Sequence, residues 1–230
     1  MKKEKYFTSA ELAIWIGSVT AVLLSFLIFD GEGYLELIAS LIGVTALILC
    51  AKGNPLGQAL VIVFSLLYGI VSYGCAYYGE MITYVGMTMP MAVVSLITWL
   101  RNPYEKGRAE VAVNKLRGKE YAVMALLTVI VTVVFYFILE ALGTASLLVS
   151  TLSVATSFSA VYLTMRRSPY YAVCYAFNDI VLMVLWTVAS LKDPSSVSVT
   201  VCFAAFLVND VYGFLSWRRM EKRQSKEKTA

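Results

Sequence analysis

Two adjacent Asn-Asp pairs, Asn178-Asp179 and Asn209-Asp210, stand inside long apolar runs. At membrane depth an ionisable group costs roughly 2.5 to 3.5 kcal/mol and is retained where it does something. Neighbouring residues point about 100° apart on a helix, so one member of each pair can face a central space while the other bonds an adjacent helix. Asp179 is the stronger candidate because of what precedes it. Tyr171, Tyr175 and Asn178 follow one another at spacings of four and three and therefore share a helix face. Such a face combines flat aromatic surface with an amide, which suits a planar heteroaromatic ligand. Base-on-aromatic stacking is worth roughly 1 to 3 kcal/mol, and a cationic ring gains further from the face of a tyrosine. Earlier in the chain Gln58, Ser65, Tyr68, Thr83 and Tyr84 are polar groups of the same kind, with Glu80 at the outer edge. The competing reading of each is structural: a carboxylate buried against Tyr, Asn or Ser of a neighbouring helix, and tyrosines that serve as packing or interface anchors.

Several chemistries are excluded by residue type. The chain has no histidine, which removes His-based zinc sites, Ser/His/Asp and Cys/His nucleophile systems and histidine-ligated haem. Cys50, Cys75, Cys174 and Cys202 are far apart, form no CxxC pair and fall in apolar stretches, so they read as small hydrophobes. No Walker A loop is present for ATP hydrolysis, and no mid-helix lysine for a retinal Schiff base, since Lys192 lies in a loop. No catalytic residue, metal or cofactor is expected. Polar groups at that depth serve either a membrane-embedded enzyme acting on a lipid or prenyl group or a carrier that moves a small molecule, with or without proton coupling through Asp179 or Asp210.

The elements that must carry these residues follow from composition. Of 230 residues 59% are hydrophobic and 15% charged, with a mean hydropathy of +0.73. A soluble domain carries about 25% charged residues, so lipid is the expected solvent. Apolar runs of membrane-crossing length fall at 12–29, 34–51, 56–78, 81–100, 121–140, 144–165, 169–190 and 196–217. The fold class is an all-α integral membrane protein of eight transmembrane helices. Lys2, Lys3 and Lys5 precede the first run, but no small-residue cleavage pattern follows near Asp30 and Glu32, so that run is expected to be retained. With eight spans and an inside start, all of the 19 basic residues except Lys192 fall on one side. Asp30, Glu32, Glu36, Glu80, Glu140 and Asp193 mark the other. The positive-inside rule then puts both termini of this multi-pass membrane protein in the cytoplasm. The basic residues sit beside span ends without interleaved aromatics, so the net charge of +4 signals topology and lipid headgroup contact, not nucleic acid.

The chain also repeats itself. Lys52-Gly53-Asn54-Pro55 and Arg166-Arg167-Ser168-Pro169 both join a first to a second helix on the basic side, with prolines 114 residues apart. Trp99-Leu100-Arg101 and Trp217-Arg218-Arg219 close the two third helices, 118 residues apart. One helix separates the two three-helix units, so both have the same orientation: a parallel repeat, 1+3+1+3. The expected segments are 1–33 (N-terminus and extra first helix), 34–101 (first repeat), 102–143 (loop and linker helix), 144–219 (second repeat) and 220–230 (basic tail).

At this point the residues resemble a family, the bacterial PnuC vitamin transporters, whose best-known substrate is nicotinamide riboside. The resemblance covers almost everything after residue 34. It rests on Ala51-Lys52-Gly53-Asn54; Tyr78-Gly79-Glu80-Met81 with Pro90 and Trp99 downstream; Arg166-Arg167-Ser168-Pro169-Tyr170-Tyr171; Asn178-Asp179; and Asn209-Asp210-Val211-Tyr212-Gly213-Phe214. It implies a fold similar to SWEET sugar transporters, two three-helix bundles joined by a linker helix. It also implies facilitated diffusion of a vitamin by alternating access across the bacterial inner membrane. A cytoplasmic kinase that traps the product would then be a functional, not a physical, partner, and assembly into a homo-oligomer is left open. The implied substrate site comprises Gln58, Tyr68, Tyr84, Tyr171, Tyr175, Asn178, Asp179, Asn209 and Asp210. In it Tyr171, Tyr175 and Asn178 hold the ring, Gln58 and Tyr68 close the site from the first repeat, and the aspartates orient these groups or balance a cationic ring. Nicotinamide riboside carriers of this family share a W-x-x-W-x-x-x-N pattern, and the matching positions here are Tyr171, Cys174 and Asn178. The asparagine is kept and the tryptophans are not, which leaves thiamine and riboflavin, carried by similar family members, beside nicotinamide riboside.

Overall fold

The computed structural model describes residues 6–105, 109–144 and 146–227. Lys2, Lys3, Lys5, Lys106, Arg108 and Lys228, used above for orientation, lie outside the described residues. Among those described, eight helices are long and apolar enough to cross a bilayer. Helices satisfy their own backbone groups where lipid offers no partner, which is why these apolar runs fold this way. They are α1 (Ser9–Asp30), α2 (Tyr34–Ala51), α3 (Pro55–Gly74), α4 (Tyr78–Arg101), α5 (Gly118–Ala141), α6 (Leu147–Met165), α7 (Tyr171–Ser190) and α8 (Val197–Glu227). At about 1.5 Å per residue, α8 outlasts a bilayer core of about 30 Å and carries its last, basic turns beyond it.

Two connections are built alike. After α2, Gly53 turns left-handed at φ 64°, and the N–H of Asn54 bonds Leu49 O at 3.0 Å while that of Gly53 bonds Cys50 O at 2.8 Å. After α6, Arg167 takes the same conformation at φ 57°, with Ser168 N–H to Leu163 O and Arg167 N–H to Thr164 O, both 3.0 Å. Both are Schellman-type stops, which satisfy the last carbonyls of a helix. Asn54 then caps α3, its side chain accepting from Leu56 N–H at 2.9 Å, and Pro55 occupies the first turn, where no N–H is needed.

Helix neighbours follow the same correspondence. α3 packs on α2 and α4, and α7 packs on α6 and α8. Between these groups α2 lies against α8, and α4 lies against α6. Residues 109–117 then cross one end of the bundle as a strap. Val111 N–H bonds Gly53 O and Asn114 N–H bonds Arg167 O, each at 3.0 Å, so the strap touches the corresponding carbonyl of both turns. Gln224 of α8 holds it from the third side, accepting from Val113 N–H at 2.8 Å and donating to Val111 O at 3.1 Å. Lys52, the strap, Arg166, Arg167 and the end of α8 thus share one end of the bundle.

α5 packs mainly along α6 and turns the rest of its surface outward; Leu139 alone of its described residues is buried. α1 is tied to the bundle by polar contacts. Glu11 pairs with Lys52 at 3.0 Å and accepts from Tyr212 Oη at 3.2 Å, while Ser18 accepts from Asn209 Nδ2 at 2.9 Å.

Candidate functional site

Between the two three-helix groups lies a cavity of about 40 Å³, lined from α2, α3, α4, α7 and α8. α7 contributes Tyr171, Tyr175, Asn178 and Asp179; α3 contributes Gln58 and Phe64; α4 contributes Tyr84 and Thr88; α8 contributes Phe206 and Asp210; and α2 contributes Gly43 and Cys50. The spacing of four and three along α7 does bring Tyr171, Tyr175 and Asn178 to one wall. Close approach on the α2 side depends on Gly43, where an added Cβ would sit 2.2 Å from the Phe206 ring. This volume accommodates on the order of two to four water molecules, so any larger occupant requires the helices to part.

Polar groups are few and specific. Asn178 Oδ1 accepts from Thr156 Oγ1 at 2.8 Å and Ser157 Oγ at 2.9 Å, and lies 3.4 Å from Ser153 Oγ, all on α6. Gln58 Nε2 is turned toward Cys50 Sγ at 3.2 Å. Asp179 and Asp210 lie close enough for their carboxyl groups to interact directly, so the two act as a pair. No lysine or arginine lines the cavity among the described residues, so its only ionisable charges are acidic.

Aromatic layers bracket this space. Toward the strap, Tyr171 meets Trp217 with ring centroids 5.1 Å apart, and Trp217 meets Trp99 at 5.3 Å. At the other end Tyr68 packs on Tyr84 at 4.4 Å and on Phe203 at 5.5 Å, and its hydroxyl accepts from Trp186 Nε1 at 2.6 Å.

Of the nine residues expected in the site, Gln58, Tyr84, Tyr171, Tyr175, Asn178, Asp179 and Asp210 line the cavity. Tyr68 and Asn209 do not. Tyr68 lies in the aromatic layer above it. Asn209 turns its amide to Ser18 and Ala205 O, so in that pair the aspartate faces inward and the asparagine holds α1. Glu80 also departs from the expectation of an outer edge. α4 begins at Tyr78, which puts Glu80 in its first turn; the side chain points inward, fully buried, with Ser153 Oγ 3.3 Å from Oε2. Phe64, Thr88, Cys50 and Phe206 line the cavity without having been singled out. The apolar ones carry no signal that separates a cavity wall from ordinary packing. Thr88 had one: Pro90 follows it, and the proline ring crowds the carbonyl four residues back. The helix answers with a wider, π-helical stretch over Thr83–Thr88, which places Tyr84 and Thr88.

With this geometry established, comparison with known proteins is specific. The nicotinamide riboside transporter PnuC of Neisseria mucosa is 25% identical over 217 residues, spanning 93% of this chain and 82% of its own. That of Haemophilus influenzae is 23% identical over 193 residues, 84% of this chain and 82% of its own. A crystal structure of the vitamin B3 transporter PnuC superposes with a TM-score of 0.84 at 22% identity, covering 95% of this chain and 94% of that one. The sequence profile of the nicotinamide mononucleotide transporter family matches residues 33–219, well over half of the chain, and the protein is therefore a member of that membrane transporter family.

Proposed function

We propose that the protein imports nicotinamide riboside, by facilitated diffusion through alternating access. The observation that carries this reading is the cavity itself: tyrosine faces and an amide beside two carboxyl groups, with no cationic side chain. A nicotinamide ring joined to a sugar is planar and positively charged, and it is attracted to aromatic faces and to a carboxylate. The mononucleotide adds a phosphate, which proteins hold with Arg, Lys or clustered backbone N–H groups, and this wall supplies no such side chain among the described residues. Tyr171, Tyr175 and Asn178 take the ring, Gln58 and Tyr84 close around it from the first unit, and the Asp179–Asp210 pair balances the charge.

The two units, 34–101 and 144–219, rock about this site, with 102–143 as loop and linker. The strap end, with the start of α1 and the end of α8, faces the cytoplasm, as the clustering of basic residues there favours. Capture of the released riboside by a cytoplasmic kinase keeps import downhill. Thiamine is the second reading, because its thiazolium ring is also cationic and because Tyr171 and Cys174 replace the tryptophans of riboside carriers. The test is calorimetric binding of nicotinamide riboside, nicotinamide mononucleotide, thiamine and riboflavin to the purified protein. The riboside is expected to bind and the mononucleotide not to; equal affinity for the two overturns the assignment.

A further inference from the structure

The strap end of the bundle holds a second cavity, far larger than the central one. About 770 Å³ opens there between the start of α1, the turn after α2, the strap and the end of α8. Its size is in the range of pockets that take whole small molecules. From α8 come Tyr212, Ser216, Arg219 and Arg223, at spacings of four, three and four and so on one face. Lys52, Glu11 and Glu110 supply the other charges. Two of the three cations are already balanced: Lys52 pairs with Glu11 at 3.0 Å, and Arg223 pairs with Glu110. Arg219 has no carboxylate partner among the described residues, so the lining keeps one positive charge.

Arg219 also ends an apolar stripe. Val208, Val211 and Leu215 precede it on α8 at spacings of three and four, Arg219 follows four residues on, and all four are exposed. On a membrane helix such a stripe faces lipid tails. Arg219 stands 22 residues after Val197, where α8 begins, which is about 33 Å along the helix axis. A hydrocarbon core is about 30 Å thick, so the guanidinium reaches the level of the lipid phosphates. Tails along the stripe and a phosphate against Arg219 fit one molecule, whereas a soluble phosphate ester fills the cavity and leaves the stripe unused.

We propose that this cavity is a headgroup site for an anionic phospholipid. The phosphodiester pairs with the Arg219 guanidinium and accepts from the Ser216 hydroxyl, and its single negative charge matches the one positive charge that the lining leaves over. A zwitterionic headgroup brings its own cation and leaves that charge unbalanced. Lys52 closes α2 in the first three-helix group, Glu110 belongs to the strap, and Arg219 lies on α8 of the second group. A bound headgroup therefore touches both groups and the strap at once.

Thermal unfolding of the full-length protein in a neutral detergent tests this, with dioctanoyl phosphatidylglycerol, dioctanoyl phosphatidylcholine and glycerol 3-phosphate as probes. A ligand that binds only the folded state raises the unfolding temperature. Phosphatidylglycerol is expected to give a shift that phosphatidylcholine matches only at about fivefold higher concentration, the contribution of one basic residue near a membrane surface. Glycerol 3-phosphate is expected to give none at the same concentrations. Arg219→Gln is expected to abolish the preference, and Arg218→Gln, which removes the neighbouring cation that pairs with Glu221, to keep it. An unchanged preference in Arg219→Gln, or no preference in wild type, overturns the site. Equal loss in both variants also overturns it, because net charge alone would then account for the preference. A shift with glycerol 3-phosphate equal to that with phosphatidylglycerol overturns the lipid and makes the occupant a soluble phosphate ester.

Discussion

Trp99 and Trp217 meet ring to ring, tilted by 48° with centroids 5.3 Å apart, and each reaches into the other three-helix group: Trp99 Nε1 donates to Thr164 O at 3.0 Å, and Trp217 Nε1 to Cys50 O at 2.8 Å. The two acceptors correspond, since Cys50 lies five residues before Pro55 and Thr164 five before Pro169. One crossing contact is therefore made twice, once in each direction, between the cavity and the strap. Cys50 is bound by its carbonyl to this layer while its side chain lines the cavity, which makes its thiol a reporter of opening at that end.

Trp99→Phe and Trp217→Phe keep most of the ring contact and remove the indole donor. Each is expected to lower stability in detergent by about 1 kcal/mol, and the double variant to depart from additivity because the rings touch. In a background with the other three cysteines replaced, a membrane-permeant thiol reagent is expected to label Cys50 faster in both variants than in the parent. An unchanged labelling rate would mean that the tryptophan pair does not close this end of the cavity.

Asn178 is held from outside the cavity by Thr156 and Ser157 of α6 and offers the rest of its amide to the interior. Asn178→Ala strips the hydroxyls of their acceptor and the cavity of its amide. Uptake of nicotinamide riboside into proteoliposomes is expected to fall at least about tenfold, the equivalent of about 1.4 kcal/mol, with expression unchanged. Wild-type uptake by this variant would sink the assignment of the α7 wall.

The aspartate pair carries a different prediction. Asp179→Asn and Asp210→Asn retain the means to hydrogen-bond across the pair while removing a potential negative charge. Each is expected to weaken a cationic cargo by about tenfold, as loss of a partly buried charge partner does, and to spare neutral riboflavin or nucleosides if these bind at all. Comparison of cationic and neutral ligands by calorimetry checks this; equal losses for both would make the pair a packing element.

What the chain discloses before folding depends on which physical constraint is at work. The eight spans and the charge asymmetry are set by lipid, which penalises each polar residue individually, so they can be read one residue at a time. Faces within a helix are also readable, as the wall of Tyr171, Tyr175 and Asn178 demonstrates. Depth is harder. Gln58 and Tyr68 fall near one face of α3, but ten residues at about 1.5 Å each put them about 15 Å apart, and only Gln58 reaches the cavity. Asn209 and Asp210 differ by one step of rotation, and which one turns inward was decided by α1, a helix far away in sequence. Thr88 lay beyond a periodicity argument altogether, because the backbone around it abandons the 3.6-residue period.

The two corresponding turns give a pair of predictions of opposite sign. Gly53 and Arg167 hold the same left-handed position, a conformation that costs a residue with a Cβ roughly 1 to 2 kcal/mol. Gly53→Ala incurs that cost and places its Cβ 3.2 Å from Val111, the residue by which the strap grips this turn, so stability is expected to fall by about 1 to 2 kcal/mol or slightly more. Arg167→Gly removes the same strain. Its guanidinium contributes little to offset that: Nε has no partner, and burial, followed by the neighbouring Arg166 charge, holds the Arg167 pKa below its ordinary value. Glycine also widens the unfolded ensemble, so the net expectation is a gain of about 0.5 to 1 kcal/mol. Thermal unfolding of the two variants in the same detergent measures both. Destabilisation of similar size by both substitutions would mean that the Arg167 side chain holds this end of the bundle together, and that the correspondence between the turns stops at the backbone.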